Sequence, residues 1–286
     1  MIQIFTDTTA NLPAELIRRY HLRVIPLTYS LNGVEAKQDP EEDFDGKAYY
    51  DAMRKGGKVK TAMISMGAFL DPMRECLAAG NDVLYVGLSG GISGTVRAAA
   101  GALAELREEF PERKTSAIDT FAASLGEGLL VLEAARMAEN GTSFDEIVTT
   151  IETKRNTMCQ YFTVDDLEYL KRGGRISRAV ALVGTVLNIK PLLTGDAEGK
   201  IVMCGKVRGR KQALMTLVKN YDKLAEDRSA AIGIAHADAP EDAAFVLEQL
   251  RQKGFTGQCI SVCYEPVTGS HVGPGTVALF FPGIHK

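Results

Sequence analysis

In the first half of the chain, apolar residues switch repeatedly between a period near two and a period near 3.6. The runs "IQIFTD" from Ile2, "LRVIPLTYS" from Leu22, "DVLYVGLS" from Asp82 and "KTSAID" from Lys114 read as strands. Asn32-Gly33 marks a turn after the second of them. Helical patterns fill the gaps. "NLPAELIRRY" has Asn11 as a candidate N-cap and Pro13 near its first turn, where the missing N–H costs little. "DFDGKAYYDAMRKGG", from Asp43, ends at Gly56-Gly57, and "MGAFLDPMRECLAAG" is expected to break before Pro72. Val96, Ala99, Leu103, Leu106 and Phe110 recur at helical spacing, and "AASLGEGLLVLEAARMAEN" is a long helix closed by Gly141. Strands that alternate with helices in this way predict a parallel sheet covered on both faces.

The pattern then changes. "SFDEIVTTIETKRNT" is a helix whose Ser143 and Glu146 form a capping-box pair. Beyond it, "MCQYFTV", "IVMCGKV", "AAIGIAHA", "QCISVCYEPV" and "TVALFFPG" read as strands, with clear helices only around 209–226 and 240–253. That distribution predicts a mixed sheet with helices on one side. The boundary between the two patterns falls near residue 155, giving an N-terminal domain over 1–155 and a C-terminal domain over 156–286.

Composition narrows the function classes. The 286 residues are 45% hydrophobic and 24% charged, enough to bury a proper core, and the net charge of -3 speaks against general nucleic-acid binding. Cys76, Cys159, Cys204, Cys259 and Cys263 are odd in number and form no C-x-x-C, as expected of reduced thiols in a cytoplasmic protein. The opening "MIQIFTDTTANLP" lacks the basic and apolar regions of a signal peptide, and no apolar run approaches the ~18 residues of a membrane span. A cytoplasmic location is therefore expected.

Five segments carry candidate chemistry. "LSGGISGT", Leu88 to Thr95, is a strand-to-helix turn whose free N–H groups and glycines suit an anion. Its spacing fits neither common nucleotide-phosphate motif, and Ser93 equally suits capping of the helix that follows. In "KTAMIS", Thr61 and Ser65 are hydroxyls in an apolar setting, with Ser65 also a candidate cap. "DDLEYLKRGGRIS" is a short helix ending at Gly173-Gly174, after which Arg175 is placed to hold a carboxylate or carbonyl ends. Arg208, Arg210 and Lys211 cluster at a helix start, where cations oppose the helix dipole; an anionic ligand or partner would explain them, and so would a solvated charge run. His271 lies among glycine-rich turns before the last strand. His21, His236, His271 and His285 show no metal-ligand spacing, and Cys259 and Cys263, four apart on one strand face, read as core.

Taken in order, six motifs resemble the DegV family across nearly the whole chain. "TDTTANLP" resembles the family's TD-S-T-A-DLP start, "LSGGISGT" its S-S-x-L-S-G-T turn, and "LEYLKRGGRIS" its L-x-Y-L-x-x-G-G-R-I signature. "NIKPLL", "VRGRKQAL" and "SHVGPGTVAL" resemble the family's K-P-I/L-L, V-R-T-R-K-K-A-L and G-H-x-G-P-G segments. The resemblance implies a DegV/DAK-like α/β fold of two domains: an α/β/α sandwich on a parallel sheet, then a two-layer α/β domain with a mixed sheet. It implies a long-chain, palmitate-like fatty acid bound between them, no other cofactor, and a role as the binding subunit of a fatty-acid kinase. In that role the protein presents the carboxylate to a separate ATP-dependent subunit and carries away the acyl phosphate.

Carried over residue by residue, Thr61 and Ser93 are the implied carboxylate hydrogen-bonders and His271 lies close to the head group. Gly94, Thr95 and Ser65 are further head-group or turn candidates, and Arg175, Arg208, Arg210 and Lys211 are candidates for contact with the partner or the new phosphate. Three departures bear on this site. Ala62 and Ile64 replace a serine and a proline of the family's T-S-x-P-S segment, and Gly90 replaces one serine of the turn, so a less polar head-group site is expected. Ser270 also stands where a glycine commonly precedes the histidine. Met63, Ile64, Met66, Phe69, Ile92 and Phe280 are candidate walls for the tail. The expectation is a carrier without catalysis of its own, with neither nucleic-acid partner nor transmembrane segment and at most transient membrane contact. The competing readings are a phosphotransferase or hydrolase using the 88–95 turn, and a lipid-sensing regulator.

Overall fold

The computed structural model describes residues 1–42, 44–177 and 188–284. The chain runs β1 (Ile2–Asp7), α1 (Ala14–Arg19), β2 (Arg23–Ile25), β3 (Thr28–Leu31), β4 (Val34–Lys37), α2 (Lys47–Arg54), β5 (Val59–Ala62), α3 (Met66–Ala78), β6 (Asp82–Gly87), α4 (Thr95–Glu109), β7 (Thr115–Asp119), α5 (Leu125–Glu139) and α6 (Phe144–Lys154). It continues with β8 (Met158–Thr163), α7 (Glu168–Arg172), β9 (Ile189–Gly195), β10 (Ile201–Arg208), α8 (Arg210–Leu224), β11 (Ile232–His236), α9 (Pro240–Gln252), β12 (Cys259–Cys263), α10 (Pro266–Val272) and β13 (Val277–Pro282). The fold is α/β, with one parallel and one mixed sheet. Among the described residues, no helix is long and apolar enough to cross a membrane.

The parallel sheet has the order β2-β1-β6-β7. Its strands are nearly all apolar because both faces are covered. Side chains alternate across it: Phe5, Val83 and Tyr85 pack with Phe69, Met73 and Leu103 of α3 and α4, whereas Ile4, Leu84 and Val86 pack in the core that holds α5. A small antiparallel sheet, β4-β3-β5, stands beside it. Its hairpin turns at Asn32 (φ 53°) and Gly33 (φ 87°), the paired positive-φ residues that a two-residue turn of matching twist requires.

Two prolines act differently from the pattern's expectation. Leu22 to Ser30 reads as one strand, but the chain leaves the parallel sheet at Pro26, which cannot donate to a ladder, and β3 enters the small sheet. Pro72, expected to break its helix, sits inside a continuous α3. The bond it removes would fall to Ala68, which is exposed, so solvent can satisfy that carbonyl. Asp43, where the helical pattern opens, lies outside the described residues; α2 starts at Lys47, after Gly46.

The mixed sheet has the order β10-β9-β8-β13-β11-β12, antiparallel except for the pair β11–β12. Along β13, Val277, Leu279 and Phe281 face the core built with α8 and α9, while Ala278 and Phe280 face the core that contains α5. Two elements escape the apolar pattern. Strand β9 is masked by Pro191 within its run, and α10 begins at Pro266, inside a segment that reads as a continuing strand.

Helix α5 lies between the sheets and contacts strands of both. Ten of its fifteen residues are buried, as expected of a helix apolar on all sides. Its fully buried Glu127 accepts from Thr6 Oγ1 at 3.2 Å and is hydrogen-bonded to Thr9 Oγ1 at 3.0 Å. Asp7, also fully buried, accepts from Tyr85 OH at 2.5 Å, from Thr9 N at 2.8 Å and from the Thr9 hydroxyl. Burial pushes both carboxyls upward, Glu127 well above the usual carboxylate range.

Because α5 fills the core between the two sheets, Leu132→Ala should destabilise the whole chain by about 2–5 kcal/mol. Urea unfolding followed by far-UV circular dichroism and by tyrosine fluorescence should show one shifted, coincident transition. Loss confined to one probe would mean that α5 does not couple the two sheets.

Candidate functional site

Strands β1, β6 and β7 all end on one side of the parallel sheet, and the loops that follow them line a cavity. This is the crevice at strand carboxyl ends where open α/β sheets bind ligands. Leu27, Leu88, Ile92, Phe121, Phe162 and Phe280 contribute apolar wall. Thr61, Ser93, Arg175 and His271 bring polar groups to the same cavity. Thus the structure brings together, from four separate segments, the three implied head-group residues and Arg175.

The glycine turn divides its work between fold and cavity. Ser89 is buried; its hydroxyl donates to the Gly199 carbonyl at 2.8 Å and accepts from Gly91 N at 3.1 Å, docking the turn on the β9–β10 hairpin. Gly90 N donates to Asp119 Oδ2 at 3.0 Å, and a Cβ at Gly90 would lie 2.5 Å from that oxygen. Gly90 lies outside the cavity lining, so the departure there takes no hydroxyl from the wall. Ile92 and Ser93 are the turn residues between the glycines and α4 that do reach the cavity. Ser93 Oγ pairs with Thr95 Oγ1 at 2.9 Å and accepts from Thr95 N at 3.3 Å. Gly94 caps α4 and Thr95 is fully buried, so both support Ser93 from outside the lining.

On the facing side, Thr61 Oγ1 and His271 Nε2 are 3.0 Å apart. His271 occupies the last turn of α10, where the sequence pattern places a glycine-rich loop. Its ring packs over Gly173: a Cβ there would meet Nδ1 at 2.2 Å, which gives that glycine a steric purpose beyond ending α7. Burial, with a smaller contribution from the Arg175 charge, lowers the His271 pKa to about 4, so the imidazole is neutral at pH 7. Arg175 donates from Nε to the Ile92 carbonyl at 3.1 Å and from Nη1 to the Gly173 carbonyl at 2.5 Å, stitching the two turns together. Of the two roles open to it in the sequence, it takes the carbonyl one.

At the other end of α10, buried Glu265 is the N-cap. It accepts from Val267 N at 2.6 Å and Thr268 N at 2.5 Å, and burial raises its pKa to about 7 despite those donors. Tyr49 and Tyr50 of α2 tie this segment down through the carbonyls of Pro266 (2.7 Å) and Tyr264 (2.8 Å).

The remaining candidates are dispersed. Ser65 is exposed at the start of α3, makes no side-chain cap bond and lies outside the cavity. Ala62, Met63, Ile92 and Phe280 line it, whereas Ile64 and Phe69 belong to the α3–α4 core and Met66 is partly exposed outside the lining. Arg208 is exposed at the end of β10. Arg210 pairs with Asp242 at 2.7 Å and Asp165 at 3.6 Å and donates to the Gly275 carbonyl, and Lys211 lies over the Phe245 ring. None of these three cations lines the cavity. His285 lies outside the described residues. Among those described, no group of three His, Cys, Asp or Glu side chains is arranged to hold a metal ion.

Thr9, Gln160 and Thr268 also line the cavity, and sequence reasoning missed them. The signal for Gln160 is its polar side chain within the apolar run of β8; its amide holds the loop after β7 through Ala123 N (3.1 Å) and the Phe121 carbonyl (2.9 Å). Thr9 carries no such signal, because its role comes from the 3-10 turn that follows β1.

Comparison with known proteins agrees with this geometry. Residues 1–282 match the family model described as an uncharacterised protein, DegV family. A DegV domain-containing protein of Clostridium perfringens is 36% identical over 284 residues, covering 99% of this chain and 98% of the relative. A structure of a DegV family protein from Thermus thermophilus, described by its fatty acid binding, superposes with a TM-score of 0.89 at 33% identity, covering 99% of both chains. That of DegV from Bacillus subtilis, described as a fatty acid binding protein, gives 0.85 at 30% identity, again covering 99% of both. With its whole length matched in sequence and in fold, this chain belongs to the DegV family.

Proposed function

We propose that the protein is a cytoplasmic, non-catalytic carrier that binds a long-chain fatty acid and presents its carboxylate to a separate ATP-dependent kinase subunit. The ligand lies between a domain of residues 1–155 and one of residues 156–286. The observation that carries this reading is a largely apolar cavity whose polar groups, Thr61, Ser93, Arg175 and His271, suit a carboxylate. The fatty-acid-binding relatives support it.

The energetics divide between tail and head. Some 15 methylenes would gain on the order of 12 kcal/mol on burial, before the costs of ordering the chain. Each neutral hydrogen bond to the head group adds about 0.5–1.5 kcal/mol. The tail thus supplies most of the affinity, and the hydroxyls fix where the carboxylate stops. Presentation to a partner is supported by a second cavity, open to solvent, that also has Thr61, Arg175 and His271 in its wall.

Organic extraction of the denatured protein, followed by mass spectrometry, should release about one fatty acid per chain. Absence of lipid, together with transfer of phosphate from ATP by the purified protein alone, would overturn the carrier reading. Replacing both Thr61→Val and Ser93→Ala should weaken fatty-acid affinity about 10-fold while leaving the fold intact, by calorimetric titration; unchanged affinity would place the carboxylate elsewhere.

The two ends of α10 should titrate in opposite senses. His271 has a folded pKa of about 4, below its ordinary 6.5, so its neutral form is favoured on folding. Relative to His271→Gln, the wild type should lose stability as pH falls from about 6.5 to 4. Glu265 has a folded pKa of about 7, above its ordinary 4.5, so relative to Glu265→Gln the wild type should lose stability as pH rises from about 4.5 to 7. Urea unfolding across pH 4–8 checks both slopes, and slopes of the same sign would contradict the buried placement of one group.

A further inference from the structure

The second cavity is open to solvent and abuts the first at Thr61, Arg175 and His271. Its character is different. Lys58, Lys60, Arg172 and Arg175 line it, and no Asp or Glu does so among the described residues. None of the four forms an ion pair with a described residue, although nearby Arg54 is paired with both Asp51 and Asp238. Arg172 is held at the rim by its own chain: its guanidinium lies 4.7 Å from the Tyr169 ring centroid, and its Nε donates to the Glu168 carbonyl at 3.3 Å. Lys58 and Lys60 are two residues apart on extended chain and so project to one side. Four like charges gathered around one hollow repel each other, so folding alone does not account for them.

The geometry points to a phosphoryl subsite: this outer cavity holds the phosphate of an acyl phosphate whose acyl chain fills the inner cavity. The inference rests on the fatty-acid reading above and adds the place where the product's charge is received. A carboxylate stopped at Thr61 and His271 stands where the two cavities meet, so a group added to its outward oxygen enters the cationic one. The step balances as follows. A carboxylate oxygen attacks the γ-phosphorus of ATP held by the kinase subunit, a carboxyl O–P bond forms, the bond from that phosphorus to the β–γ bridging oxygen breaks, and ADP leaves with that oxygen. The ligand passes from a monoanion to a dianion without net proton uptake. Hydroxyls, a neutral imidazole and the Arg175 charge serve the first negative charge, and the second requires the further unpaired cations Lys58, Lys60 and Arg172.

The test compares two probes on the purified full-length protein by calorimetric titration: hexadecanoic acid, and hexadecanoylphosphonate, whose P–C bond makes it a stable mimic of the acyl phosphate. Lys60→Gln with Arg172→Gln should weaken phosphonate binding at least about 10-fold and leave hexadecanoic acid binding unchanged. Wild-type affinity for the phosphonate should also fall with added salt more steeply than that of the variant. Equal loss of both probes, or loss of neither, would overturn the subsite. Inorganic phosphate binding as tightly as the phosphonate would also overturn it, by showing a site for free phosphate. Failure of the wild type to bind hexadecanoic acid would instead sink the fatty-acid reading. Should the double variant melt early, Lys58→Gln with Lys60→Gln, both exposed on the chain before and within β5, must reproduce the discrimination between probes.

Discussion

The molecule depends on the burial of α5 between two sheets. Of the three carboxyls on this helix, Glu133 and Glu139 reach solvent and surface cations, whereas Glu127 is fully buried and must be satisfied by protein. Thr6 and Thr9 do this, but Thr9 has one hydroxyl proton and two carboxyl neighbours, Asp7 and Glu127. A consistent chain of donors results when Glu127 is protonated: it donates to Thr9, and Thr9 donates to Asp7, which Tyr85 also serves. Burial drives Glu127 in that direction. The chain locks the carboxyl end of β1 against α5 and holds Thr9 on the cavity wall. One wall residue of the cavity is therefore tied to how the core settles a buried acid.

Most of the fold was legible from the apolar pattern, because sheets covered on both faces leave long apolar runs and the helices between them keep clear ends. Asn32-Gly33 announced its hairpin and Ser143 its cap, and both behave as their local chemistry demands. The misreadings gather at prolines. Pro26 separates strands of different sheets, Pro72 is tolerated in an exposed stretch of helix, Pro191 sits in a paired strand, and Pro266 opens a helix. One residue type supports all four outcomes, and only tertiary contacts decide among them.

Residues of the candidate site were legible where a motif joined a special residue to a turn. Ser93, Thr61 and His271 come from three segments far apart in the chain, and the structure brings them to one cavity. Glycines were easy to notice and hard to interpret. Gly173 is required by the His271 ring, whereas Gly90 answers to Asp119 and has no part in the cavity. Charge was the least legible feature. The Arg208–Lys211 cluster stood out as a run, yet Arg210 is consumed by Asp242 and Asp165. Lys58, Lys60 and Arg172 are scattered in sequence and converge only through β5 and α7.

Helix α10 shows which electrostatic effect prevails where the two cavities meet. A helix dipole favours a cationic histidine at the C-terminus, by about 0.3–1 kcal/mol and at most ~2. Holding the His271 pKa near 4 corresponds to about 3 kcal/mol against the charged form, so burial and the neighbouring Arg175 outweigh the dipole. Arg175 is then the one fixed charge common to both cavities among the described residues. The Ile92 and Gly173 carbonyls satisfy two of its donors without neutralising it, and burial already lowers its pKa. A carboxylate arriving beside it would relieve that penalty while its own desolvation is offset in turn. The inner cavity thus offers one fixed cation among its described lining residues, Arg175, while Lys58, Lys60 and Arg172 line only the outer one.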